Sequence, residues 1–365
     1  MRVHPFGPTT YLLLLLSGVA LGCGDESTSP EGMSQEARVY LNRALDIMED
    51  NSIRRYDIDW VPFREAAVAR APDAQKASDT YDAIRHALSA LGENQGHFYT
   101  PSQVGRSNKA PPIRPSATVL SMDPSDPVGI RMGPGVGYIK MPAFSSVGEG
   151  GGDPVFHGMA YHNLINVLDT AGLCGWVVDL RENAGGNMWP MLAGIGPILG
   201  EGTAGMFVTP DSVKTSWSYS DGTAWIGGNA SVNVPWPSYY ELISPDPFVG
   251  VVTGPQTAGS GEAILVSFLG RPNTRTFGEA TFGVPTVSSG FTLSDGAQIF
   301  LTVAWMADRS GRVYRTSIPP DVLIPGNPTQ DPGTDPVLNT ALAWIIRSGP
   351  CGADPEALAT GHRPR

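Results

Sequence analysis

The chain has 365 residues, of which 41% are hydrophobic and 16% charged. That composition suits one large folded unit or two smaller ones and excludes an intrinsically disordered chain. A net charge of −11 argues against nucleic acid as a partner and against electrostatic docking on anionic lipid.

The N-terminus reads as a targeting segment. Arg2 supplies positive charge, Tyr11 to Leu16 supply a short apolar run, and Val19-Ala20-Leu21-Gly22-Cys23 has the form of a bacterial lipidation box, with Ala20 where leucine is usual. Residues 1–23 are therefore expected to be a lipoprotein-type signal with Cys23 as the lipidated residue, and 24–33 a flexible tether. A plain secretory signal and a retained anchor are the alternatives. All three place the folded part outside the cytoplasm, lipid-anchored to the cell envelope or secreted, with the membrane reached through the anchor only.

Residues 34–100 are expected to form an N-terminal helical subdomain. Ala37, Tyr40, Leu41, Ala44, Leu45 and Met48 recur at helical spacing, a second helix follows Asp59, and a third carries Tyr81, Ile84, Ala87, Leu88 and Leu91, starting near Asp73. His97 falls in the loop that ends this region. It is either an exposed loop histidine or a general base brought to a site by that loop. Ser102 to Pro127 reads as an irregular connection.

Residues 101–350 alternate strands with helices, which implies an α/β core with a mixed sheet. Gly137–Met141 is a strand, and His157–Ala171 a helix whose His157 and His162 are expected to be solvated. Trp176–Leu180 is a buried strand, followed by the Gly185-Gly186 turn and a helix. Such a turn is either plain or an anion cradle whose backbone N–H groups approach a ligand. Phe207 to Trp236 reads as β-hairpins. Phe248–Val252 is a strand that leads through Thr257-Ala258-Gly259-Ser260-Gly261-Glu262 into an apolar helix. This stretch has the form of a nucleophile elbow, and equally that of a capping serine in a Gly-rich turn. Ser294-Asp295-Gly296 signals a hairpin, Val322 lies in an edge strand, and Val337 to Ile345 form a last helix. Residues 351–365 are a tail. No CxxC or His/Cys cluster suggests a metal. Cys174 and Cys351 are a possible disulfide.

Val177–Gly186, Thr257–Glu262 and Gly278–Gly283, with Ser294-Asp295-Gly296 and Pro320-Asp321 further on, resemble the C-terminal processing (tail-specific) serine peptidases. The likeness covers about two thirds of the chain. Asn187–Leu192 and the lack of room for a PDZ module resemble the nisin-resistance branch, which uses a Ser–His pair. The resemblance implies a ClpP/crotonase-like core and an extracytoplasmic peptidase acting on peptides or unstructured proteins near their C-termini, with no cofactor. It implies Ser260 and His97 as the catalytic pair, Gly185, Gly186 and Gly261 as oxyanion donors and Asn187 as a substrate contact.

Two departures stand out. The position of the base in lysine-dependent members is Val284, which takes no proton. Aligned without gaps, the family's nucleophilic serine falls on Gly259, one residue before Ser260. Either the elbow is shifted so that Ser260 attacks, or the cleft only binds peptide. Tyr314 stands where the family has an orienting glutamate, which leaves a third catalytic member unassigned.

Overall fold

Helices begin where short polar residues satisfy the first free N–H groups. Ser34 accepts from Ala37, Asp59 from Val61, Asp153 from Val155 and Phe156, and Asp335 from Val337 and Leu338. The computed structural model describes residues 32–93, 96–107, 126–133, 135–146, 152–170, 172–326 and 332–350. The signal-like segment with Cys23, most of the tether, the glycine run before 152 and the tail with Cys351 lie outside the described residues.

In chain order the elements are α1 (Gln35–Asn51), α2 (Trp60–Val68), α3 (Tyr81–Ala90), β1 (His97–Tyr99) and α4 (Pro101–Ser107), then β2 (Val128–Met132), β3 (Val136–Lys140), α5 (Pro154–Leu168), β4 (Gly175–Asp179) and α6 (Met188–Leu199). A meander of β5 (Gly202–Val208), β6 (Lys214–Ser220), β7 (Thr223–Ile226) and β8 (Asn229–Asn233) follows. After it come β9 (Phe248–Thr253), α7 (Ser260–Phe268), β10 (Thr274–Gly278), β11 (Thr286–Thr292), β12 (Gln298–Asp308), β13 (Val313–Tyr314), β14 (Val322–Leu323) and α8 (Pro336–Ser348).

Two sheets result. One has the order β14-β10-β9-β4-β3-β2 and is parallel from β14 to β3, with β2 antiparallel at the edge. The other is antiparallel, β1-β12-β5-β6-β7-β8, with β11 and β13 also paired to β12. Every residue of β4 is buried, as expected of a parallel strand covered on both faces. The main core fills the space between the sheets, where Ile195, Ile198, Ile264 and Phe268 of α6 and α7 meet Val178 and Val251 on one side and Phe207, Trp217 and Met306 on the other. On the opposite face of the parallel sheet α8 packs Leu338, Ala341 and Ile345 against Val177 and Phe277. The N-terminal helices share a cluster with Leu293, Ile299 and Leu301, and Tyr40 and Tyr81 both donate to the Asp295 carboxylate in the hairpin turn.

The structure differs from the sequence expectation in several places. His97 lies in a strand, paired to Phe300 of β12, because the register between β1 and β12 captures it. The third helix begins at Tyr81 after a short 3-10 turn, and Pro101–Ser107 is helical. His157 and His162 are buried, since α5 packs on α6 and is roofed by residues 239–243. His157 stacks on Phe144 with ring centroids 3.9 Å apart, and His162 Nδ1 accepts the Tyr240 N–H while Nε2 donates to Ala193 O. Burial holds the His162 pKa below its ordinary value.

Candidate active site

The parallel strands β4 and β9 are neighbours and end side by side, so the turns that follow them face each other. After β9 the chain bends sharply at Gly259, with φ 52° and ψ −109°, and enters α7 at Ser260. A side chain at this positive φ costs about 1–3 kcal/mol, and glycine adopts it without that strain. The apex of the elbow is therefore Gly259, and Ser260 is the first residue of the helix.

Glu262 fixes the apex in place. It is fully buried, and its carboxylate accepts four hydrogen bonds. Oε2 takes the N–H groups of Gly259 (2.9 Å) and Val284 (3.0 Å), and Oε1 takes the Thr281 hydroxyl (2.6 Å) and the Gly283 N–H (3.0 Å). Burial pushes the Glu262 pKa up, against four donors that favour the charged form. This one side chain ties the elbow to the Thr281–Val284 segment.

Asn183 does the same for the turn after β4. Its Oδ1 accepts the Gly185 N–H (3.0 Å), its Nδ2 donates to Pro142 O (3.2 Å), and its carbonyl accepts the Ala258 N–H (3.0 Å) from the elbow. Gly186, at φ 112°, presses against residue 144, and a Cβ there would lie 1.9 Å from the Phe144 carbonyl oxygen. Among the described residues, neither the Gly186 N–H nor the Ser260 N–H has a hydrogen-bond partner. The turns are close, for a Cβ on Gly185 would sit 3.4 Å from Ser260 N. This corrects two of the expected oxyanion donors. The Gly185 N–H is spent on Asn183, and the Gly261 N–H donates to Ala258 O at 2.9 Å. The Gly186 N–H and the Ser260 N–H at the helix start are the donors these two turns leave open beside the cleft.

Beside these donors opens a cleft of about 590 Å³, walled by Asn187, Trp189, Val284, Phe300 and Met306 among others. No ionisable side chain lines it among the described residues. The Ser260 hydroxyl lies in the cleft and donates to Gly186 O at 2.7 Å. His97 is exposed on β1, makes no hydrogen bond to Ser260 and does not line the cleft. The structure thus places the two expected catalytic side chains apart in their hydrogen bonding. Asn187 caps α6, accepting the Trp189 N–H at 3.1 Å and donating to Ser146 Oγ at 3.0 Å. Val284 is a cleft wall, as its apolar side chain requires. Tyr314 donates its hydroxyl to Asp308 at 2.7 Å, outside the cleft lining. Cys174 is disulfide-bonded. Glu262 and Asn183, which hold the two turns in place, are not singled out by the sequence motifs. Their signal was a carboxylate three residues after the apex glycine and an asparagine just before a Gly-Gly turn.

A model of Peptidase family S41 matches residues 135–324, a span that holds both turns, the Thr281–Val284 segment and β14. The chain belongs to peptidase family S41. The Nisin-resistance protein of Lactococcus lactis subsp. lactis is 22% identical over 308 residues, 84% of this chain and 86% of that protein. Among solved structures, a lipoprotein from Streptococcus agalactiae is similar at TM-score 0.61 and 23% identity, covering 86% of this chain and 96% of that one. The photosystem II D1 C-terminal processing protease is similar at TM-score 0.55 and 16% identity, covering 80% and 94%. These likenesses carry the mixed helix-and-sheet fold. Family S41 membership carries the substrate class, a peptide or protein.

Proposed function

We propose that this family S41 member holds an extended peptide, or an unfolded stretch of protein, in the cleft between the Gly185-Gly186 turn and the elbow, and does not hydrolyse it by a serine–histidine route. One observation carries the reading: among the described residues the cleft presents no ionisable side chain. A serine attacks a carbonyl only when a positioned base takes its proton. The Ser260 proton instead points at the Gly186 carbonyl, which is not a base at neutral pH. The apex that orients an attacking group in an elbow is a glycine. What remains is the electrostatic half of the site. The unpaired N–H groups of Gly186 and Ser260 bind a peptide carbonyl, and Trp189, Phe300 and Met306 supply apolar walls. The protein is proposed to work outside the cytoplasm, held to the envelope by a lipid on Cys23. The similarity to a lipoprotein supports this, and a Cys23→Ser change is expected to release the protein from the membrane fraction.

A second reading keeps Ser260 and His97 as an active pair acting near peptide C-termini. The pairing of His97 with Phe300, itself a cleft residue, supports it. Incubation of the purified protein with unstructured peptides separates the two. Saturable binding without new peptide termini in mass spectrometry is expected. Hydrolysis lost in both Ser260→Ala and His97→Ala establishes the second reading instead.

A further inference from the structure

The far end of α6 opens on a second cavity, of about 440 Å³. Four exposed carboxylates line it, Glu201, Asp221, Glu241 and Asp246, and none of the residues around it is a lysine or arginine. Glu201 Oε1 accepts the Asp221 N–H at 3.0 Å, and Glu241 Oε1 accepts the Tyr239 hydroxyl at 2.7 Å. None of the four is in an ion pair among the described residues. The Arg271 guanidinium lies close enough to feel Asp246 but donates to the carbonyls of Leu199, Pro247 and Pro272.

An acidic rim alone is a solvated surface. Here it surrounds a buried group that lacks a partner. Tyr219 lines the same cavity, is 2% exposed, and its hydroxyl makes no hydrogen bond. The Gly222 N–H lies near it, outside hydrogen-bonding geometry. Buried hydroxyls are nearly always satisfied, so an unsatisfied one at a cavity wall calls for a partner that enters from the cavity. The ring reaches this place because α6 has Gly196 beneath it, where a Cβ would come within 1.9 Å of the ring. The cavity also sits at the C-terminal end of α6, the negative end of the helix dipole.

A bare metal ion does not fit, for no group of three or more His, Cys, Asp or Glu among the described residues is arranged to hold one. A polyatomic cation does. Its donors are spread over several atoms, the cavity offers it four carboxylates from separate turns, and Tyr239 and Tyr240 line the same wall. We propose that this cavity is a subsite for an ammonium or guanidinium group, the head of a lysine or arginine side chain on a basic peptide. The proposal stands whether or not the cleft at the other end of α6 hydrolyses anything.

The test is calorimetric titration of the full chain, at low ionic strength, with blocked Gly-Arg-Gly and Gly-Lys-Gly, with the neutral citrulline analogue, and with putrescine. The two basic peptides are expected to bind at least about tenfold tighter than the citrulline peptide. Tyr219→Phe, which removes only the hydroxyl, is expected to weaken them by about three- to tenfold, and Asp221→Asn with Glu241→Gln by about tenfold or more, with unchanged unfolding temperature in the surface double variant. Equal binding of the citrulline peptide, no binding of any probe at millimolar concentration, or affinity unchanged in both variants overturns the subsite. Binding of putrescine without the peptides overturns the assignment to a peptide side chain and leaves a free diamine as the source.

Discussion

The two ends of α6 make opposite chemical offers. At its start, capped by Asn187, the neighbouring turns present unpaired N–H groups, apolar walls and no charge among the described residues. At its end, past Leu199, four carboxylates and a tyrosine with a buried hydroxyl line a cavity. The helix has 12 residues, which at 1.5 Å each separates the two by about 18 Å. One end suits a carbonyl or carboxylate, the other a cation, and each agrees in sign with the helix dipole. Backbone groups set the chemistry of the first end and side chains that of the second, so the first depends on how the turns fold and the second on which residues they carry.

Changes at the first end are expected to have the largest effects, because that end rests on buried polar groups with full sets of partners. Glu262→Ala leaves four donors unpaired and is expected to cost about 3–5 kcal/mol in urea unfolding, with peptide binding lost; Glu262→Gln, which keeps one accepting oxygen, should cost less. Equal losses in the two variants would break the claim that hydrogen bonding at Glu262 holds the elbow. Gly186→Ala places a methyl against the Phe144 carbonyl at a positive φ and should cost about 2–3 kcal/mol, again with loss of peptide binding.

The second end is sharpened by pH. His162 pins the loop that carries Tyr239 and Tyr240 through the bond its Nδ1 accepts from Tyr240 N–H. Burial lowers its pKa in the folded state, so below pH ~6.5 the unfolded chain takes up the proton more readily than the folded one. The stability it contributes is complete above that pH and is lost as pH falls toward the folded value, by at most about 1.4 kcal/mol per pH unit. Chemical denaturation between pH 7.5 and 5.5 should show this slope, and His162→Gln should remove that part of it. The smallest effect is expected far from both ends. Tyr81→Phe removes one of two hydroxyls on Asp295 and should cost about 0.5–1.5 kcal/mol without altering either binding event.

Much of the frame was legible in the sequence because it is locally encoded. Asp59 announced its helix, the Trp176–Leu180 run announced a strand buried on both faces, and Ser294-Asp295-Gly296 announced its hairpin. The sharp turn before the helix was legible too, since the small residues Gly259 and Gly261 flank Ser260, and Gly259 takes a positive φ there. What the sequence hid depends on contacts between distant segments. His97 became a strand residue only by pairing with Phe300, some two hundred positions on. His162 is buried because a loop near Tyr240 closes over it. The Gly185 and Gly261 N–H groups look free in a linear motif and are consumed by Asn183 and Ala258 once the chain is folded. The acidic cavity gathers Glu201, Asp221, Glu241 and Asp246 from separate turns, with no spacing to betray it.

The lack of a base among the described cleft residues is tested most directly by supplying the hydroxyl alone at the elbow apex. Peptide hydrolysis is followed by mass spectrometry for the wild type, Gly259→Ser and Gly259→Ser with His97→Ala. The prediction is no turnover in the wild type or in Gly259→Ser, because a hydroxyl placed at the apex still meets no positioned base among the described cleft residues. Turnover by the wild type that disappears in Ser260→Ala would contradict the account and make Ser260 the nucleophile.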